Sequence, residues 1–321
     1  MDSLTHRASQ AKQSKLREQL AQEGIVGTAL WALNWAMWKT RVYYALPPPL
    51  AEAVQARYRF TRRVKKYGIA EPIIVYQMGK VGSSSMYWSF DALRLNAPVY
   101  HLHYLNGMDE MEAWIRKTLR VNRRELKMVE LARKLRREIE RGTAPRYHLV
   151  SLVRAPVPRN LSTYFHNVDS YFPNFVERIQ ARTLRVSELG DYFVNVFRET
   201  TPERWFDEQV REVFGIDVYA TPFSRERGYQ IYENDKARLL VLRLEDLNRV
   251  VAAAMREFLN IPDFVLVPAN AGENKTYGGL YKEFLAQLRL PREYIKATDA
   301  TRYARHFYNE SELAASVARW V

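Results

Sequence analysis

The sequence contains no cysteine. That excludes a disulfide framework, a thiolate nucleophile and any zinc site built on sulfur, and it is compatible with a reducing cytosol without establishing one. Acidic residues are also in deficit, with 36 Asp and Glu against 49 Lys and Arg, a formal net charge of +13. Such an excess favours an anionic partner, whether nucleotide, nucleic acid, acidic glycan or anionic lipid. No hydrophobic run reaches the ~20 residues that a bilayer crossing needs, because the most apolar stretch, residues 25–38, stops at Lys39 and Arg41. The start of the chain, polar and mixed in charge over residues 1–22, has no secretory-signal pattern, so export by that route is not expected. Internal repeats and low-complexity tracts are absent too.

What is present is ordinary globular material. A chain of 321 residues that is 47% hydrophobic can bury one large α/β domain or two small ones. Residues 25–38 carry Trp31, Trp35 and Trp38 at spacings of four and three, and two readings stand: a helix packed on the domain, or an interfacial membrane anchor. Pro47-Pro48-Pro49 breaks this region, a second helical stretch runs into the basic cluster 62–66, and a boundary falls near residue 69. The expected organisation is a helical extension over 1–68 and one domain over 69–321.

Within the domain, 73–78, 97–103 and 147–153 read as strands, each followed by a helical pattern, with a late strand over 237–244 and a helix from about 250. The β-α-β-α-β-α order implies a parallel sheet with helices on its faces. Residues 116–141 hold eleven Lys or Arg against four Glu, with Ile115, Leu119, Met128, Leu131, Leu135 and Ile139 spaced for one helix face. That region is either a solvated helix pair or the wall of a path for an acidic acceptor.

The first strand is followed by Gly79-Lys80-Val81-Gly82-Ser83-Ser84-Ser85. A glycine loop between a buried strand and a helix presents backbone N–H groups and the positive end of the helix dipole to an anion. Lys80 adds a point charge and the serines add small donors. A nucleotide-triphosphate hydrolase places its lysine after the second glycine, whereas Lys80 precedes Gly82. No hydrophobic strand ending in a magnesium-holding aspartate is found, and no metal is expected. The third strand leads instead into Arg154-Ala155-Pro156-Val157-Pro158-Arg159-Asn160-Leu161-Ser162. There an arginine at the strand end and a serine on the first turn of the next helix can converge on one phosphate. In a parallel sheet both junctions open on the same edge.

With these two elements the sequence resembles the PAPS-dependent sulfotransferases of the P-loop type, closest in style to the carbohydrate, heparan 2-O-type and bacterial members. The resemblance implies a three-layer α/β fold with a central parallel sheet, like that of the P-loop nucleotide-triphosphate hydrolases, with N-terminal helices added. It implies that residues 79–85 grip the 5'-phosphosulfate of PAPS and that Arg154 with Ser162 grips the 3'-phosphate. Gly79 stands where proline is common in the family.

Tyr100-His101-Leu102-His103-Tyr104 ends the second strand, and the two-residue period puts His101 and His103 on one face. Either histidine has a suitable pKa for accepting a proton, or both are strand-end groups satisfied by hydrogen bonds. The segment is similar to the histidine pair of the 2-O-sulfotransferases, which implies His103 as base and His101 as its assistant; His166 is the reserve. Glu273-Asn274-Lys275-Thr276-Tyr277-Gly278-Gly279 resembles the loop that closes over the nucleotide in carbohydrate sulfotransferases, giving Lys275 a phosphate to pair with. The stretch 304–310 resembles a structural tail of the same proteins. The expected activity is sulfuryl transfer from PAPS to a hydroxyl of a glycan or other hydroxylated metabolite, releasing PAP. The expected location is cytoplasmic, peripheral at a membrane if 25–38 is an anchor, with no specific nucleic acid partner. Two alternatives stay open: a P-loop kinase or other nucleotide-binding enzyme, and a non-enzymatic binder of nucleic acid or anionic membrane.

Overall fold

The computed structural model of the chain describes residues 68–118, 123–267 and 278–321. The expected helical extension with its tryptophan-rich segment, and Lys275 with residues 273–277, lie outside them.

β1 (Ile73–Tyr76) is an apolar run with all four residues buried. β2 (Val99–Leu102) is mostly half-buried, while β3 (Tyr147–Val153) is buried throughout. β4 (Tyr229–Glu233) is of mixed exposure, and β5 (Ala237–Arg243) is buried at six of seven positions. Unbroken burial rather than alternation belongs to strands covered on both faces, so the centre of the sheet is β1, β3 and β5. The order is β2-β1-β3-β5-β4. Neighbours among β2, β1, β3 and β5 run parallel. β4 is antiparallel to β5, an edge strand that the repeating β-α pattern did not suggest. A hairpin made it: Asn234 accepts from the N–H groups of Lys236 and Ala237 through Oδ1, at 3.0 and 2.9 Å, and so reverses the chain.

β1 bonds to β2 on one side and β3 on the other, so the chain passes from one side of β1 to the opposite side. At such a switch point the loops leaving neighbouring strands diverge, and a crevice opens at the carboxyl ends. The loops after β1 and β3 border that crevice.

The helix after β1, α1 (Ser83–Leu93), takes all three serines into its first turn. The charged region folds as two helices, α2 (Met108–Thr118) and α3 (Arg123–Glu140). Val129, Ala132, Leu135 and Ile139 form the buried stripe of α3, while Met128 and Leu131 sit at its margin. Arg133 joins the two helices through Glu112 and Asp109, each at 2.5 Å. After β3 comes α4 (Pro156–His166). Its residues Val157, Leu161, Tyr164 and Phe165 enter an aromatic core shared with Leu189 and Phe193 of α5 (Val186–Asn195) and with Phe284 and Trp320. The Tyr164 hydroxyl donates to Leu189 O at 2.9 Å within that core. The helix after β5 is α6 (Leu247–Leu259), longer at its start than expected. The chain ends through α7 (Gly278–Gln287), α8 (Arg302–Phe307) and α9 (Glu310–Val317). No helix among the described residues is long and apolar enough to cross a membrane.

Candidate functional site

The crevice at the switch point is a cleft of about 1600 Å³, lined among others by Lys80, Ser83, His103, Arg154 and Ser162. Residues that the sequence pointed to from three separate strands therefore meet in one place. Gly79, Gly82, Ser84, Ser85, His101 and His166 line it as well. Val81 is fully buried, so only its backbone is available to a ligand.

The loop between β1 and α1 turns through two left-handed residues, Lys80 at φ 70° and Gly82 at φ 93°. At Gly82 a side chain is disfavoured by the positive φ, and a Cβ would also lie 2.7 Å from Leu244 Cδ1, which would have to move. The other turn falls on Lys80 and not, as the glycine pattern suggested, on Gly79. A non-glycine residue in this region stores on the order of 1–3 kcal/mol and persists only where its surroundings hold it. Two guanidinium groups do so: Arg159 Nε donates to Gly79 O at 3.2 Å and Arg154 Nη1 to Lys80 O at 3.3 Å. Beyond the turn, the first turn of α1 carries Ser83, Ser84 and Ser85 at the positive end of the helix dipole, which favours an anion.

Arg154 is the first residue after β3, and its backbone is locked. Its N–H donates to the Tyr303 hydroxyl at 3.0 Å, and that hydroxyl donates back to Arg154 O at 2.9 Å. The next N–H, of Ala155, goes to Glu245 Oε1 at 2.8 Å, while Tyr308 donates to Glu245 Oε2 at 3.0 Å. The tail around 304–310 thus acts structurally, by fixing the end of β3. Burial lowers the pKa of Arg154, a penalty on its charged form that a bound anion offsets.

Ser162 lies in the second turn of α4, not the first, because the helix begins at Pro156. It still lines the cleft, because Arg159, Ser162, Thr163 and His166 recur at spacings of three, one and three, the stripe opposite the aromatic core.

β2 ends at Leu102, so His101 is within the strand and His103 one residue beyond it. Their rings remain neighbours, with centroids 5.1 Å apart, and His101 stacks on Tyr87 at 5.3 Å. His103 Nδ1 is 2.7 Å from Gln77 O. A carbonyl only accepts, so Nδ1 carries the proton and Nε2 the lone pair. Burial holds the His103 pKa below its ordinary value; the Gln77 bond and Glu125 oppose this, and Arg159 and Lys80 reinforce it. The side chain is thus a neutral acceptor at its Nε2. The other described histidines differ. His166 is exposed at the end of α4. His148 pairs with Ile73 at the opposite edge of the sheet. His306 packs on Phe307 and Tyr219, and burial pushes its pKa down to about 4.

Sequence reasoning missed the residues that brace the site. Arg159 is 2% exposed and forms a 3.2 Å ion pair with Glu199. Trp205 Nε1 donates to His103 O at 2.9 Å. Gln209, in the π-helical turn Phe206–Arg211, accepts at Oε1 from the Tyr76 hydroxyl, Leu105 N and Asn106 N at 2.8, 2.8 and 3.0 Å. Arg159 was legible from the α4 stripe; the others have no local signature. Of the two readings of the basic region, a solvated helix pair and the wall of an acceptor path, the described side chains favour the first. Among the described side chains, α2 and α3 supply Glu110, Met111 and Glu125 to the cleft, and none of their Lys or Arg. Several of these arginines are spent on carboxylates instead, Arg133 and Arg116 on Glu112 and Arg136 on Glu140.

With this geometry in place, the comparisons bear on one part of the chain. Residues 186–309 are similar to the NKWYS family, described as "Putative capsular polysaccharide synthesis protein". No curated protein and no solved structure matches the chain. The similar segment covers less than half of the chain. It contains Glu199, Trp205, Gln209, Glu245 and Tyr303, which brace the cleft, and it excludes the loop after β1, the histidine pair and Arg154.

Proposed function

We propose that the protein is a PAPS-dependent sulfotransferase acting on a saccharide hydroxyl. The observation that carries this reading is the convergence on one cleft of a glycine loop with Lys80, a second anion site at Arg154 and Ser162, and His103 with its proton fixed on Nδ1. The two anion sites flank the β1–β3 crevice, as a donor with phosphate at both its 5' and 3' positions requires. On this reading the sheet is of the P-loop sulfotransferase type with helices in layers on both faces, 69–321 is the catalytic domain, and the enzyme works in the cytoplasm. The similarity to a polysaccharide-synthesis family favours a carbohydrate acceptor and carries no information on the group transferred.

In the reaction, the acceptor oxygen forms a bond to sulfur while the bond from sulfur to the bridging phosphate oxygen breaks. His103 Nε2 takes the hydroxyl proton, and His101 supports its ring. Lys80 and the serines of α1 stabilise the charge that develops on the leaving oxygens. Arg154 and Ser162 hold the 3'-phosphate, with Lys275 as a further contact. The products are a sulfate ester and PAP.

Two measurements test the reading. PAP at 100 times its Kd is expected to add about 2.7 kcal/mol of stability, read as a rise in melting temperature. Labelled PAPS is expected to transfer its sulfuryl group to a member of an oligosaccharide panel. A flat melting temperature with PAP, or magnesium-dependent ATP binding tighter than PAP binding, sinks the proposal.

A further inference from the structure

We propose that Glu199 is a positioning residue that ties the donor loop to the base, and for the roles of those two ends the proposal rests on the sulfuryl-transfer reading. Glu199 lies just before the short helix Thr201–Trp205. Its Oε2 faces Arg159 Nη1 at 3.2 Å and its Oε1 accepts from Thr201 N at 2.9 Å. Arg159 in turn reaches Gly79 O, so the carboxylate is the counter-ion of a buried guanidinium that grips the turn of the phosphate loop. Removing one partner of such a pair leaves an uncompensated buried charge, a strongly disfavoured state that the loop must accommodate.

The same chain segment reaches the base. Trp205 holds His103 O, and Gln209 holds Leu105 N and Asn106 N just beyond it. Residues 199–209 therefore touch both functional ends through a rigid helical turn, Arg159 at one end and the His103 backbone at the other. Around the His103 ring the charged and titratable groups are Lys80, Arg159, Glu125, His101 and Tyr104. Of these, Arg159 is the one paired directly with Glu199, which also acts on Tyr104. A displacement of order 1 Å between donor and base can cost about a hundredfold in rate.

The test is Glu199→Gln, which keeps an oxygen for Thr201 N and replaces the charged acceptor facing Arg159 with an uncharged amide nitrogen. The midpoint of the His103 imidazole titration, followed by NMR with labelled histidine, is expected to move to lower pH, because the neighbouring guanidinium is no longer neutralised. PAP affinity is expected to stay within about threefold while transfer falls at least about tenfold, a split that loss of global stability does not produce. A folded Glu199→Gln protein with the wild-type His103 midpoint and rate overturns the proposal. If that variant does not fold, Trp205→Phe decides: it removes the indole N–H that holds His103 O together with part of a buried ring, so its melting temperature is measured beside transfer and the comparison is made on folded protein. Lowered transfer at unchanged PAP affinity supports the tie, and unchanged transfer refutes it. Failure of the wild-type protein to bind PAP removes the sulfuryl-transfer reading, whereas the His103 titration still tests the coupling.

Discussion

After β1 the chain turns through two left-handed residues before α1 begins, whereas after β3 it enters α4 directly, through Ala155 and a proline at the first helical position. The first junction is strained and is held in shape from outside, by Arg154 and Arg159 on its carbonyls. The second is preset by the fixed φ of Pro156 and is clamped by Tyr303 and Glu245. On the sulfuryl-transfer reading, a pre-organised junction suits the site proposed to grip an anchoring phosphate in the same way throughout. A strained one suits the site proposed to face the reacting group, where Lys80 would meet charge that appears only in the transition state.

That contrast separates variants by what they lose. His103→Gln is expected to lower turnover by about 10² to 10⁴-fold, the range for loss of a positioned base, with PAP affinity retained. The pH profile of the wild type sharpens this assignment. The base works when neutral, and its pKa is depressed by burial, so the rate is expected to hold through neutral pH. It should fall only below the ordinary imidazole value of about 6.5. A fall that begins above that value argues against His103. Lys80→Ala at the strained junction is expected to cost about 10² to 10³-fold in turnover, measured by single-turnover transfer. Arg154→Gln at the preset junction should act on binding instead, weakening PAP by about 10 to 100-fold as expected for a charge-assisted contact, measured by calorimetry. If Lys80→Ala and Arg154→Gln lose turnover and affinity in the same proportion, the division between the junctions is wrong. Tyr303→Phe is the mildest. It deprives the Arg154 N–H of its acceptor and should cost about 1–2 kcal/mol in a denaturant titration, with only a modest loss of PAP affinity.

The two junctions were equally visible in the sequence, because each needs a residue pattern that is local. Glycines around a lysine after an apolar run, and Arg-x-Pro after another, announce strand, turn and helix start with no help from the rest of the chain. β1 and β3 were legible for the same reason, as short apolar runs with no alternation. β4 was not, since a half-exposed edge strand has no periodicity to recognise. Nor could the spacing of the histidines decide a tautomer: that depends on Gln77 O, 26 residues earlier in the chain.

What the sequence alone determined is the chemistry available at the carboxyl edge of the sheet: a lysine in a glycine loop, an arginine at a strand end, and paired histidines. These follow from backbone rules acting over a few residues. What only the tertiary structure decided is how that chemistry is held. Glu199, Trp205, Gln209, Glu245 and Tyr303 come from 40 residues (Glu199 to Arg159) to 149 residues (Tyr303 to Arg154) away from the groups they fix. Their carboxylate, indole, amide and hydroxyl groups acquire meaning only when folding places them in contact. The charge of the cleft wall has the same origin. The total of +13 is a sum over the sequence, but which side chains line the cleft is set by folding, and among the described residues Lys80, Arg154, Arg159, Arg198 and Arg204 are balanced there by Glu110, Glu125, Glu199, Glu208 and Glu212.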